Sequence, residues 1–402
     1  VRFLLTVSIF VKGKDMSEYK LCPLAAVLKA AEKASQQGEP MAIGAFNVNF
    51  YTQAEGVLEG LRRADAPAII QASKGANKFQ GGPDKIFYMV TKAMETTDHK
   101  RPVTLHLDHG NPEKGEQCVD SGYTGIMIDA SEEEFPVNVA ITRGMVAYAH
   151  PRGVGVEGEY GQLSGVEEDI AVQETVYADP ARVPVFFKKT SADALAIAYG
   201  TSHGPNKGTN INDLKTEIVK QSYQNLVNEG MNDDCFLVGH GSSTVPQELV
   251  QEINELGGAL KGAQGVPLDK IKEGIAYGLR KINIDTDLRL GITATTRKFF
   301  RDNPSAAKCD ALKGVKKALD EQLDVIDPRD YLGVVEPFDI LRDPPEESGV
   351  QEFIDLMALI KERIAKHVEF LVNEFGCAGK SGLVENISQE DMKKIYSERD
   401  PW

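Results

Sequence analysis

The chain has 402 residues, 42% of them hydrophobic, enough to bury one large core or two ordinary ones. Its 60 acidic residues outnumber 45 basic ones, giving a formal net charge of −15 with no basic block, which argues against a nucleic-acid partner. Five cysteines (Cys22, Cys118, Cys235, Cys309, Cys377) lie far apart without a CxxC pair, an odd count that fits reduced thiols and a cytoplasmic location better than a disulfide framework.

The opening VRFLLTVSIF is too short to span a bilayer, and Met16 follows soon after. Residues 1–15 are therefore expected to be a targeting or non-native leader, with the folded domain at 16–382. No other segment approaches membrane-span length, so no membrane partner is expected. From residue 41 the chain carries eight strand-like apolar runs: MAIGAFNV, PAIIQAS, VTLHLDH, GIMIDAS, GVGVEGEYG, ALAIAYGTS, CFLVGHGSS and KINIDTD. Amphipathic stretches such as 51–65 and 136–150 separate them with helical spacing. Eight βα repeats of this kind predict an α/β fold, a TIM (β/α)8 barrel. Helical segments at 290–303 and 350–375 extend it C-terminally, on either side of a Pro- and acid-rich loop at 333–349. A polar tail at 383–402 carries a capping-box-like start at Ser388 and Asp391.

Polar residues gather where these runs end: Asn47, Ser73, Asp108 with His109, Asp129, Glu159, His203, His240 with Ser242 and Ser243, and Asn283 with Asp285. In a (β/α)8 barrel those ends meet at one mouth. His109, His203 and His240 close the third, sixth and seventh runs, and three protein ligands with an open fourth position suit a catalytic zinc. Taken singly, each histidine reads more plainly as a buried core residue satisfied by the backbone. Gly204 and Gly241 follow two of them and let backbone approach a ligand closely. Alternation along LHLDHG would turn Asp108 and His109 to opposite faces, so both reach one site only where the strand ends or bulges. His106, two residues back, is expected to support or pack.

Together LHLDHG, VEGEYGQLSGVEED, IAYGTSHG, VGHGSSTVP and INIDTDLR resemble the class II, zinc-dependent fructose-1,6-bisphosphate aldolases, and GGALKGAQGVP resembles the longer B-subgroup members. The likeness runs from about residue 20 to about 380. It implies a TIM barrel that reversibly cleaves fructose 1,6-bisphosphate, with His109, His203 and His240 as metal ligands. It implies Asp108 as the acid/base at the C4 hydroxyl and Glu167 as the mobile base, with Glu168 as second choice. Asp129 and Glu159 match carboxylates for a second or displaced ion.

For the dihydroxyacetone phosphate end the resemblance implies Gly204, Lys207, Gly241, Ser242, Ser243, Asn283 and Thr286. Asp285 is implied at the substrate hydroxyls and Asn47 at the mouth. Ser73 and Arg289 are implied at the far phosphate, Arg289 reaching over from a neighbouring subunit of a homodimer or homotetramer. The cofactor implied is Zn2+, replaceable by Co2+, with room for a monovalent cation.

The sequence departs from the family at Pro205-Asn206, at GEYG where GELG is commoner, and in the long loop at 333–349. Tagatose 1,6-bisphosphate and sedoheptulose 1,7-bisphosphate are the rival substrates. An amidohydrolase would need a His-x-His on the first strand, which reads AIGAFNV, and a Schiff-base aldolase would need a lysine at a strand end. A non-catalytic barrel would lack at least one of the ligands or acids present.

Overall fold

The computed structural model describes residues 21–167, 170–172, 175–204, 214–333 and 349–399, with only the backbone course given for 164–172 and His203. The leader expected at 1–15, Glu168 and Lys207 lie outside the described residues, as do Pro205, Asn206 and 334–348.

Each of the eight apolar runs forms a parallel strand: Ile43–Asn47, Ala68–Ser73, Val103–Gly110, Gly125–Ile128, Gly155–Tyr160, Ala194–Ile197, Phe236–Gly239 and Leu279–Ile284. They close into a barrel in which every strand pairs with its sequence neighbour and the first pairs with the eighth. Apolar side chains recur without alternation because both faces of every strand are covered, one by the barrel interior and the other by helices. Strand three departs from regular pairing with strand four between Leu107 and Gly110. His109 there has φ of 45°, the left-handed region, and this kink turns both Asp108 and His109 to the mouth. A smaller sheet places Ser164–Glu167 antiparallel to Ile170–Val172 and parallel to Ser202–His203.

The floor of the barrel is closed by helix Leu24–Gln36. Cys22 N–H donates to Val103 O and Leu24 N–H to Thr124 O at the strand starts, and Glu32 accepts from the buried Arg280 at 2.6 Å. Helix Thr286–Asp302 begins four residues earlier than the apolar spacing suggested, directly after strand eight. That start puts Asp285, Asp287 and Arg289 within one turn of the mouth.

The helix Val350–Glu374 lies along Tyr51–Ala64. The two approach closely because Gly56 and Gly60 have no side chain: a Cβ at Gly60 would stand 2.5 Å from Ala365 O, and one at Gly56 2.9 Å from Ile364 Cβ.

The segment read as a polar tail is docked instead. The capping box at Ser388 and Asp391 opens helix Gln389–Glu398. Tyr396 stacks on His150 with ring centroids 3.7 Å apart, while Arg399 and His150 hold the buried Asp193 at 3.1 and 3.0 Å. Charged residues dominate this helix in sequence, yet Met392 is buried and Tyr396 docks, while Ile395 stays exposed.

Two glycine-to-alanine substitutions should move stability in opposite directions. Gly60→Ala forces the paired helices apart and should destabilise by about 1–3 kcal/mol. Gly144 sits mid-helix in Phe135–Ala149 with nothing near its missing Cβ, so Gly144→Ala should stabilise by ~0.4–1 kcal/mol. Thermal unfolding of both variants beside the wild type checks the signs.

Candidate active site

At the barrel mouth the end of strand three meets the end of strand seven. His109 Nε2 and His240 Nδ1 face each other at 2.9 Å, their rings nearly perpendicular at 81°. The outer nitrogens are both engaged. His109 Nδ1 lies 2.9 Å from Asp129 and 3.6 Å from Glu159, and His240 Nε2 lies 2.8 Å from Glu157. A proton on each outer nitrogen is drawn to a carboxylate, which leaves the lone pairs on the facing nitrogens, with Asn283 Nδ2 3.4 Å from His240 Nδ1.

Two imidazole lone pairs turned to one point repel unless something shares them. A tetrahedral ion with nitrogen ligands at ~2.0–2.1 Å would space them by about 3.3 Å, a few tenths more than observed. The donor set therefore fits a borderline-soft divalent metal. Asp108 lies close enough to join His109 and His240 in a potential ligand group, and His109, Asp129 and Glu159 form a second. Asp129 is held well below the usual carboxylate range: burial opposes its charge, but the His109 and Ser131 hydrogen bonds outweigh it.

Beneath His240 lies a charged network with no solvent contact. Glu157 receives Lys281 Nζ at 2.8 Å and His106 Nε2 at 3.3 Å as well as His240, and all four side chains are inaccessible or nearly so. Burial alone would raise the Glu157 carboxyl, yet Lys281, His106 and His240 keep it well below its ordinary value. Burial, with Lys281 contributing, lowers both His106 and His240, so both imidazoles are neutral at pH 7. His106 thus supports a ligand from below, and Gly125 makes room for it: a Cβ there would meet His106 Nδ1 at 2.6 Å.

Asp108 is fixed by two amides. Asn47 Nδ2 donates to one carboxylate oxygen at 2.8 Å and Asn283 Nδ2 to the other at 3.1 Å. Gln71 Nε2 in turn donates to Asn47 Oδ1 at 2.6 Å. Asn47 therefore does more than line the mouth: it aims the acid.

Among the expected phosphate residues, Gly241 has φ of 57° and stands so close to the sixth strand's loop that a Cβ would lie 2.6 Å from Ser202 O. Ser242 is turned inward, donating to His240 O at 3.1 Å and lying 3.3 Å from the Tyr199 hydroxyl. Its side chain is thus part of the loop's own fold, and only its backbone is offered to the mouth. Ser243 Oγ accepts Asp285 N–H at 3.2 Å, and Ser73 Oγ caps the helix Lys74–Gln80 through Ala76 N–H. Thr286 is buried in the first turn after strand eight. Gly204 follows the short strand Ser202–His203, which pairs with the strand that ends in Glu167. The side chains of His203 and Glu167 lie outside the described residues.

Arg289 lies at the rim of the mouth, one helical turn after Asp285. Its guanidinium pairs with Asp285 at 2.7 Å and with Asp327 at 2.5 Å, where Arg329 joins it at 2.7 Å. The i,i+4 spacing on the helix brings Arg289 back over Asp285.

Sequence reading missed Glu157, Lys281 and Gln71. Their signal was a polar residue inside an otherwise apolar strand, at positions that point into the barrel. Lys281 is buried in the middle of strand eight, away from the strand end where a Schiff-base lysine would stand, and is paired with Glu157 at 2.8 Å. A cleft of about 810 Å3 on the outside of the barrel, lined by Thr244, Pro246, Phe299 and His367 among others, lies apart from these histidines. The convergence of ligands and acids argues for the mouth as the reacting centre.

Comparison with known proteins agrees. The family profile described as fructose-bisphosphate aldolase class-II matches residues 24–380. A fructose-bisphosphate aldolase of Giardia intestinalis is 35% identical over 382 residues, 94% of this chain and 99% of its own. One from Pseudomonas aeruginosa is 38% identical over 306 residues, 70% of this chain and 84% of its own. Among solved structures, the fructose-bisphosphate aldolase of Campylobacter jejuni superimposes with a TM-score of 0.60 at 20% identity, over 90% of this chain and 97% of the other. The YdjI aldolase of Escherichia coli K12 gives 0.58 at 22%, over 90% and 100%, and both share this fold. With the barrel, the paired histidines and the amide-held aspartate in place, the chain belongs to the class II, metal-dependent fructose-bisphosphate aldolase family and is an aldehyde-lyase.

Proposed function

We propose that the enzyme reversibly cleaves fructose 1,6-bisphosphate to dihydroxyacetone phosphate and glyceraldehyde 3-phosphate, using Zn2+ held by His109, His203 and His240. The observation that carries this reading is the convergence of His109 Nε2, His240 Nδ1 and the Asp108 carboxylate at one point of the mouth. Bound Zn2+ supplies a Lewis acid that stabilises negative charge developing on the substrate carbonyl oxygen.

The protein's own groups move the protons. Asp108, aimed by Asn47 and Asn283, takes the C4 hydroxyl proton as the C3–C4 bond breaks and the aldehyde forms. The electron pair left at C3 then takes a proton from Glu167, which the short sheet carries beside the His203 segment. In the condensation direction both transfers reverse. Backbone N–H groups at Gly204 and Gly241 to Ser243, with Lys207 and Thr286, hold the dihydroxyacetone phosphate end. Asp285 faces the substrate hydroxyls, and Ser73 serves the far phosphate together with Arg289 reaching over from a neighbouring subunit of a homo-oligomer. Asp129 and Glu159 orient His109 and can hold a displaced ion.

Chelation and add-back test the metal and the substrate together. Exhaustive EDTA treatment should abolish cleavage of fructose, tagatose and sedoheptulose bisphosphates alike. Zn2+ or Co2+ should then restore it, fastest on fructose 1,6-bisphosphate; full turnover without metal, or borohydride trapping of substrate, would refute the reading.

The two acids should separate by the step they serve. Asp108→Ala should suppress cleavage while proton exchange at the dihydroxyacetone phosphate carbon stays measurable. Glu167→Ala should suppress the exchange itself. Equal losses of both activities in both variants would contradict this division.

Glu157→Gln keeps the shape of the network but removes the charge that Lys281, His106 and His240 share. Metal affinity should fall about 10–100-fold, read by competition with a chromogenic chelator. An unchanged affinity would mean that His240 is oriented without Glu157.

A further inference from the structure

Directly after strand seven the chain turns through Gly241–Val245 before the helix Gln247–Glu255 begins. Val245, a β-branched residue, is buried with φ of 48°, a left-handed conformation that such a side chain adopts only when its surroundings enforce it. The enforcing group is the carboxylate of Asp287. One of its oxygens accepts Val245 N–H at 2.7 Å; the other accepts Thr244 N–H at 3.0 Å and the Thr244 hydroxyl at 2.8 Å. His367, on the helix Val350–Glu374, lies 3.3 Å from that second oxygen.

Val245 itself belongs to a buried apolar cluster with Leu249, Leu290 and Ile326. Thr244, Val245, Asp287 and His367 line the outer cleft of about 810 Å3, so the back of the loop borders open space. On the opposite flank the residues after helix Gln247–Glu255 press against it: Val266 N–H donates to Ser243 O at 3.1 Å, and a Cβ at Gly265 would fall 2.3 Å from the Thr244 carbonyl carbon. Three donors from this loop converge on one carboxylate and fix the backbone of the turn.

We propose that Asp287 is a positioning residue that holds Gly241–Val245 in its phosphate-binding shape, with His367 of the helix Val350–Glu374 setting the carboxylate. This rests on the reading that Gly241–Ser243 receives the phosphate of dihydroxyacetone phosphate. Asp287 touches neither substrate nor the histidine ligands, and it acts through the backbone it fixes. The helix Val350–Glu374 thereby contributes to substrate affinity without reaching the mouth.

Binding of dihydroxyacetone phosphate and of inorganic phosphate to the metal-loaded full chain tests this. Asp287→Asn should weaken both by about tenfold and Thr244→Val, which removes only one of the donors, by a few-fold. KM for the bisphosphate should rise more than kcat falls, and the absorption spectrum of the Co2+-loaded enzyme should not change. Thr244→Val keeps the side-chain shape and the carboxylate, so it decides the matter if Asp287→Asn does not fold. Ser243→Ala tests the underlying reading: wild-type affinity in that variant as well would remove the phosphate site and this inference with it. Weakened binding in Ser243→Ala but wild-type affinity in the other two would overturn the positioning role alone, and so would an altered Co2+ spectrum.

Discussion

The Glu157 carboxylate, buried without solvent contact inside the barrel, is the constraint on which the mouth depends. A lone charge in such a place costs several kcal/mol, and removing one partner of a buried pair typically costs ~3–5 kcal/mol. Lys281 compensates it directly, His240 Nε2 hydrogen-bonds one of its oxygens, and His106 Nε2 lies 3.3 Å from the other. Because His240 Nε2 is committed downward to this carboxylate, Nδ1 can only face the mouth. The orientation of a metal ligand is thereby set by charges below it in the barrel, on strands three, five and eight.

The same logic recurs at each functional side chain. His109 is turned by Asp129 and Glu159, Asp108 by Asn47 and Asn283, and Asn47 by Gln71. Each of these described acids and ligands is aimed by a second polar residue on or beside another strand. Barrel closure makes this possible, since each strand end has neighbours on both sides and the eighth strand borders the first. Neutral imidazoles with carboxylates behind them leave an ion's charge largely uncancelled while raising the basicity of its ligands, which suits polarisation of a carbonyl. The loop after strand seven extends the pattern outward, where Asp287 fixes backbone instead of a side chain.

The amino-acid sequence alone determined the eight strands, the helices between them, the capping box at Ser388 and the family. These follow from local features: uninterrupted apolar runs, helical spacing, and five motifs in order. It also singled out Asp108, His109 and His240, because polar residues at the ends of buried strands have few structural reasons to be there, and it required the kink that the left-handed His109 supplies. Tertiary structure decided the partners. Glu157 and Lys281 are 124 positions apart, and only the register of a closed barrel shows that their opposite charges meet. The pairing of Arg289 with Asp327 exists only once a distant turn is placed beside it, and a polar tail becomes a docked helix only once His150 and Asp193 are placed beneath Tyr396 and Arg399. Local pattern encodes which face of an element is buried; which charges meet there depends on how distant elements are registered, and no short-range period in the chain carries that information.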